Sequence, residues 1–112
     1  MAKLTNKVAM ITGAGSGIGR ASALKMASEG AVVMCADLNT QAAEGTVALI
    51  LEAGGSADAL GLDVSDSDQV AGAIDQTASK MGALNILFNN AGVGADFSWD
   101  QTIAINLSGV FH

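Results

Sequence analysis

A short apolar run that breaks into four closely spaced glycines constrains this chain more than anything else in it. Val8-Ala9-Met10-Ile11-Thr12 leads into Gly13-Ala14-Gly15-Ser16-Gly17-Ile18-Gly19-Arg20. This reads as a buried strand, a turn without bulky side chains, and the first turn of a helix. Backbone N–H groups in such a turn can come close to a phosphate, and the positive end of the helix dipole points at the same place. A nucleotide site is therefore expected at this turn.

Strand and helix signals alternate through the rest of the chain. Lys7 to Thr12 is the first expected strand, nearly continuous in apolar residues, as a parallel strand covered on both faces would be. A helix follows from about Gly17 to Glu29, and Gly30 stands where a C-terminal cap glycine belongs. Ala31 to Ala36 forms a second buried strand that ends at Asp37. Asn39 or Thr40 can cap the next helix, with Ala43, Val47, Ile50 and Leu51 on its inner face. Gly54-Gly55 stops it.

Ser56 to Leu62 is a weaker third strand, ending at Asp63-Val64. Ser65 is the expected cap of a third helix, whose inner face carries Val70, Ile74, Thr77 and Met81 and which Gly82 ends. Leu84 to Phe88 is the fourth strand. Beyond Asn89-Asn90-Ala91-Gly92, Ser98 to Gln101 fits a capping box, and the spacing of Ile103, Leu107 and Val110 predicts a fourth helix. The alternation predicts an α/β fold with a parallel sheet in three layers, helix on sheet on helix. A reversal after the third strand sets the strand order at 3-2-1-4, Rossmann-like, with ligands at the carboxyl ends of strands 1 and 4.

The 112 residues suit one domain, though a complete three-layer domain normally uses more chain. Half of the residues are hydrophobic and only 14% are charged, which speaks against disorder. The formal net charge of −6 argues against nucleic acid or an anionic membrane as partner. The lone cysteine, Cys35, sits in an apolar run and reads as a buried thiol. No apolar stretch approaches the roughly 20 residues of a membrane span, and the N-terminus lacks a signal-peptide pattern, so a cytoplasmic protein is expected. No metal site is expected.

The spacing of the glycines separates the nucleotide motifs. A P-loop needs Lys and then Ser or Thr after its last glycine, and Gly19 is followed by Arg20 and Ala21. The GxGxxG pattern begun at Gly13 needs a glycine where Ile18 stands. What remains is Thr12-Gly13-x-x-x-Gly17-x-Gly19.

At this point the chain resembles the short-chain dehydrogenase/reductase family. That family carries TGxxxGxG after its first strand, an acidic residue closing strand 2 in members that prefer NAD, Asp-Val after strand 3, and Asn-Asn-Ala-Gly after strand 4. Thr12 to Gly19, Asp37, Asp63-Val64 and Asn89 to Gly92 match these in order. Asn106 matches the asparagine of the following helix. The resemblance implies an oxidoreductase that transfers hydride between a nicotinamide dinucleotide and an alcohol or ketone. The implied cofactor-binding residues are Gly13, Ser16, Gly17, Ile18, Gly19, Asp37, Leu38, Asp63, Val64, Asn90, Ala91 and Gly92. Asp63 would contact the adenine amino group, and Asn106 would hold a water in the catalytic proton relay.

Asp37, about 20 residues past the turn, suits ribose hydroxyls and repels a 2′-phosphate, which favours NAD over NADP. Arg20, the only nearby cation, is expected on the helix surface. The family's Tyr-x-x-x-Lys pair has no counterpart, because the chain contains no tyrosine. The chain is therefore expected to be the cofactor-binding half of a doubly wound domain, lacking turnover by itself. Its loop from Gly92 to Trp99 is shorter than the family usually has. With strand 4 left as a bare apolar edge, self-association into a homo-oligomer is expected. The alternatives are an inactive nucleotide-binding module or a self-assembling half-domain.

Overall fold

A computed structural model of the chain describes residues 3–90 and the backbone of residues 102–105. Its elements in order are β1 (Val8–Thr12), α1 (Gly17–Ser28), β2 (Val32–Asp37), α2 (Thr40–Glu52), β3 (Ser56–Gly61), α3 (Ser67–Met81), β4 (Ile86–Asn89) and β5 (Thr102–Ile105). The strands form one sheet in the order β3-β2-β1-β4-β5. The first four are mutually parallel, as the alternation of strands and helices requires, and they take the expected 3-2-1-4 order.

Both faces of the central strands are covered, and the period of two along each strand sorts their side chains. Ile11, Val33, Cys35 and Phe88 meet Ala23 of α1 and Ala43 and Ile50 of α2 on one face. Val8, Met10, Met34 and Ala36 meet Leu84 and Ala73 of α3 on the other. This is the three-layer arrangement read from the sequence. The sheet register pairs Thr12 with Ala36, so β2 runs one residue further, and Asp37 pairs only outward, with Gly61 of β3.

Helix ends follow local chemistry. α1 stops at Gly30 (φ 100°), whose N–H donates to the Ala27 carbonyl while Ala31 N–H donates to Met26. α2 ends the same way at Gly54, with Gly54 and Gly55 donating to Leu51 and Ile50. Both are Schellman closures, which satisfy carbonyls that the helix leaves unpaired. Asn39 caps α2 by accepting from Ala42 N–H at 3.1 Å.

Four expectations are corrected. The cap of α3 is Asp66, which accepts from Asp68 and Gln69 N–H, and not Ser65, which instead turns back onto Asp63. A carboxylate at the cap accepts two amides and answers the helix dipole, which one hydroxyl does less well. On α2, Leu51 is 54% exposed and the buried position is Thr46 at 0%. Ala43, Thr46 and Ile50 lie at i, i+3 and i+7 and form a truer stripe than one that includes Leu51. The expected fourth helix does not include residues 102–105, which form β5 antiparallel to β4, with Ile86 opposite Ile105 and Asn89 opposite Thr102. β4 is therefore not a bare edge. Thr102 to Ile105 is short and rich in β-branched residues, and the unfilled side of β4 offers it a ladder of hydrogen bonds.

Among the described residues no helix is long and apolar enough to cross a membrane. Cys35 is fully buried, and burial pushes its thiol up to about 12, with the nearby Asp58 carboxylate adding to the shift. The thiolate is the reactive form, so the folded protein is expected to resist a disulfide-exchange reagent at pH 8 and to react once unfolded in denaturant. Rapid labelling of the folded protein would contradict this placement. Asp58 itself pairs with Lys80 across the sheet surface, and that hydrogen bond holds its carboxyl below the ordinary range.

Candidate functional site

The carboxyl ends of β1, β2 and β4 meet around the turn between Thr12 and Gly17. The turn can lie so close to the first helix because Gly19 has no side chain. A Cβ there would overlap the Gly13 carbonyl oxygen and stand 2.6 Å from the Gly13 carbonyl carbon. α1 therefore begins almost on top of the strand that precedes it. Gly17 takes φ 58°, a conformation strained for side chains, and its open face meets nothing within 4 Å. Ser16, at the N-cap, makes no side-chain cap, so it leaves the first-turn amides of α1 open to an anion.

The end of β1 is tied to the end of β4. The Thr12 hydroxyl donates to Asn89 Oδ1 at 2.8 Å and accepts the Asn90 N–H at 2.9 Å. Asn90 Nδ2 donates to the Gly13 carbonyl at 3.4 Å. Asn90 is thus brought to the glycine turn, as expected, although the two are 77 residues apart in sequence. Thr12 is only 3% exposed and holds both asparagines through one oxygen.

Asp37 comes to the other side of the turn. Its Oδ2 accepts the Gly15 N–H at 2.8 Å, and its Oδ1 accepts the Asn39 N–H at 2.9 Å. The overhang of β2 past β1 carries the carboxylate to this position. Leu38 next to it is 75% exposed, and Ile18 in the first turn of α1 is 59% exposed. These are two of the large apolar side chains that the described surface leaves in water, and they flank the turn.

Asp63 and Val64 follow β3. Both the amide and the hydroxyl of Ser65 donate to Asp63 Oδ1, and these bonds hold its carboxyl below the ordinary range. Asp63 is thus fixed as an anion in a tight turn and does not cap α3. Val64 borders a cleft of about 350 Å³ between α3 and the ends of β1 and β4, which also meets Thr12, Asn89, Val70 and Leu87. Ala91, Gly92 and Asn106 lie outside the described residues, so the turn, Asp37, Leu38, Asp63, Val64 and Asn90 are the expected residues that can be placed.

Arg20 is not a free surface cation. Its Nε donates to the Thr46 hydroxyl at 2.9 Å and its Nη2 to the Ala42 carbonyl at 3.3 Å. Thr46 in turn donates to the Ala14 carbonyl at 2.7 Å. Sequence reading missed Thr46. The available signal was its place three residues after Ala43 and four before Ile50, on the same helical stripe. Among the described residues no cluster of histidine, cysteine and carboxylates has the grouping of a metal site.

Known proteins resemble this chain in sequence and fold. The family model for short chain dehydrogenases matches residues 7–112. The chain is 42% identical over 120 residues to the uncharacterized oxidoreductase YxbG of Bacillus subtilis, covering 99% of this chain and 44% of that protein. It is 38% identical to cyclohexanol dehydrogenase of Acinetobacter sp., covering 98% and 47%. A short chain dehydrogenase from Mycobacterium avium superposes with a TM-score of 0.80 at 42% identity, over 86% of this chain and 36% of that one. The chain thus spans less than half the length of these relatives. With the family model matched over residues 7–112 and the fold shared with a solved member at 42% identity, this chain belongs to the short-chain dehydrogenase/reductase family.

Proposed function

We propose that these residues bind NAD in preference to NADP and supply the dinucleotide site of an enzyme that interconverts an alcohol and a ketone. The observation that carries the reading is Asp37, whose carboxylate lies against the Gly15 amide at the mouth of the glycine turn. An anion there accepts from ribose hydroxyls and repels a 2′-phosphate. Arg20, the nearest cation by sequence, directs its guanidinium to Thr46 and Ala42 of α2, and Ser16 and Leu38 add no positive charge at the turn.

The residues present fit a dinucleotide. The open amides at the start of α1 suit its pyrophosphate, and the cradle at Gly19 keeps the backbone where a phosphate can reach it. Leu38 and Val64 offer apolar contact to a flat base, with Asp63 beside them as a fixed hydrogen-bond acceptor. When bound, the nicotinamide supplies the hydride chemistry; the chain's own residues bind and orient it. Asn106 belongs to the proposal as the water-holding residue of the relay. No tyrosine occurs among the 112 residues, so by themselves they hold the cofactor without turning it over. A cytoplasmic homo-oligomer belongs to the same reading, though not by way of a bare β4 edge, since β5 pairs with it.

Calorimetric titration tests it. NAD is expected to bind at least about ten-fold more tightly than NADP, and Asp37→Ala is expected to remove most of that difference, a gap of about 1.4 kcal/mol. Equal or tighter binding of NADP by the unmodified chain would overturn the assignment. NADH formation from a panel of secondary alcohols by these 112 residues alone would overturn the claim of inactivity.

A further inference from the structure

The Ala14–Gly15 peptide in the glycine turn is held at both ends. Its carbonyl accepts the Thr46 hydroxyl at 2.7 Å, and its N–H donates to Asp37 Oδ2 at 2.8 Å. In a planar trans peptide these two groups point in opposite directions. One anchor comes from α2 and the other from the end of β2, so rotation of this plane breaks at least one of the two bonds.

The polarity of the Thr46 anchor is set from outside. Its hydroxyl has one proton and two acceptors in reach, the Ala14 carbonyl at 2.7 Å and its own helix's Ala42 carbonyl at 3.4 Å. Back-bonding to a carbonyl four residues earlier is the common fate of a threonine within a helix. Here Arg20 opposes it twice. Nη2 donates to the Ala42 carbonyl, and Nε occupies a lone pair of the Thr46 oxygen. The proton is directed to Ala14. Thr46 is fully buried, so no water replaces this bond. Gly45 leaves the guanidinium room to lie against α2, since a Cβ there would stand 3.1 Å from Nη2.

We propose that Thr46, oriented by the Arg20 fork, is a positioning residue for dinucleotide binding: it fixes the Ala14–Gly15 peptide so that Gly15 N–H and Asp37 stay in mutual register. Thr46 touches no cofactor atom in this role and acts through the peptide. The proposal rests on the dinucleotide reading above for its effect on affinity, but its effect on the peptide is independent of any ligand.

Two readouts separate these. In the ligand-free chain, Thr46→Val, which keeps the branched shape and loses the hydroxyl, is expected to shift the Gly15 amide proton resonance upfield as its bond to Asp37 loosens. In titration with NAD, the same variant is expected to bind about ten-fold more weakly. Thr46→Ser is expected to restore both. Thr77→Val is the matched control: Thr77 is equally buried but bonds to Ala73 and Met10, away from the turn, and both readouts should stay at the starting values. Should Thr46→Val not fold, Arg20→Met, which keeps the aliphatic stem and loses the fork, is expected to give the same upfield shift and weaker binding. An unmoved Gly15 resonance in a folded Thr46→Val or Arg20→Met chain would overturn the proposal. A moved resonance in a chain that binds neither NAD nor NADP would sustain the positioning role and overturn the dinucleotide reading instead.

Discussion

Gly19→Ala is expected to lower the stability of the chain by about 3 kcal/mol, at the upper end of the usual cost of overpacking. A single added methyl would overlap the Gly13 carbonyl and crowd Asn90 Nδ2 at 2.9 Å. Neither the backbone of the turn nor the start of α1 can yield without the other, because the Thr12 and Asn90 bonds hold the turn from the β4 side. The same shift would move the first-turn amides of α1, so dinucleotide affinity is expected to fall by at least about ten-fold in whatever fraction remains folded. Gly72→Ala makes the contrast. Gly72 lies within α3 with nothing within 4 Å of an added Cβ, and alanine there is expected to stabilise by about 0.5–1 kcal/mol. Urea denaturation of the two variants side by side checks both signs. Equal stability of Gly19→Ala and the parent would refute the close approach of α1 to β1.

The second large effect is expected at Thr12. Thr12→Val keeps the shape of the side chain and removes one oxygen that serves two partners. Asn89 Oδ1 loses its donor and Asn90 N–H its acceptor, both in partly buried surroundings. Losing these two bonds is expected to cost about 2–3 kcal/mol in urea denaturation. Thr12→Ser keeps the hydroxyl and loses only a methyl, so it is expected to cost about 1 kcal/mol. If both substitutions cost the same, the hydroxyl is not the tie between β1 and β4. Because Thr12 and Asn89 also border the cleft beneath α3, the valine variant is the one expected to change access to it.

The parts of this fold that sequence reading reached are those whose signal is local. β1 and β2 are continuous apolar runs, and each is bounded by glycine or by a change to polar residues. The helix ends at Gly30, Gly54 and Gly82 follow from backbone conformations that glycine adopts freely. Asp37 was placed by counting residues from the turn, and the sheet puts it there.

What was missed depends on partners far apart in the chain. Thr46 is polar, so a search for an apolar stripe passes over it in favour of Leu51, yet its hydroxyl is satisfied inside by Ala14, 32 residues away. Arg20 looked like a surface cation because its acceptors lie on another helix. Asp66 and Ser65 compete for one cap, and the outcome depends on Asp63, which takes both Ser65 donors. Residues 102–105 carried a helical spacing with Leu107 and Val110, but four residues of β-branched character beside an open strand edge pair with it. Periodicity records which face of an element is apolar; it does not record which neighbouring edge offers hydrogen bonds.

The one-residue overhang of β2 beyond β1 makes the position of the Asp37 carboxylate a matter of counting. Strand side chains alternate faces, so a one-residue insertion directly after Gly30 would move every residue of β2 to the opposite face of the sheet. Met34 and Val33 would trade clusters, and Ala36 would arrive where the carboxylate now stands. The closure at Gly30 fixes the first residue of the count, and the Gly15 bond fixes the last. Under the proposed role of Asp37, a change of dinucleotide is open to substitution at that residue, whereas a change of length in β2 would dismantle the core in the same step.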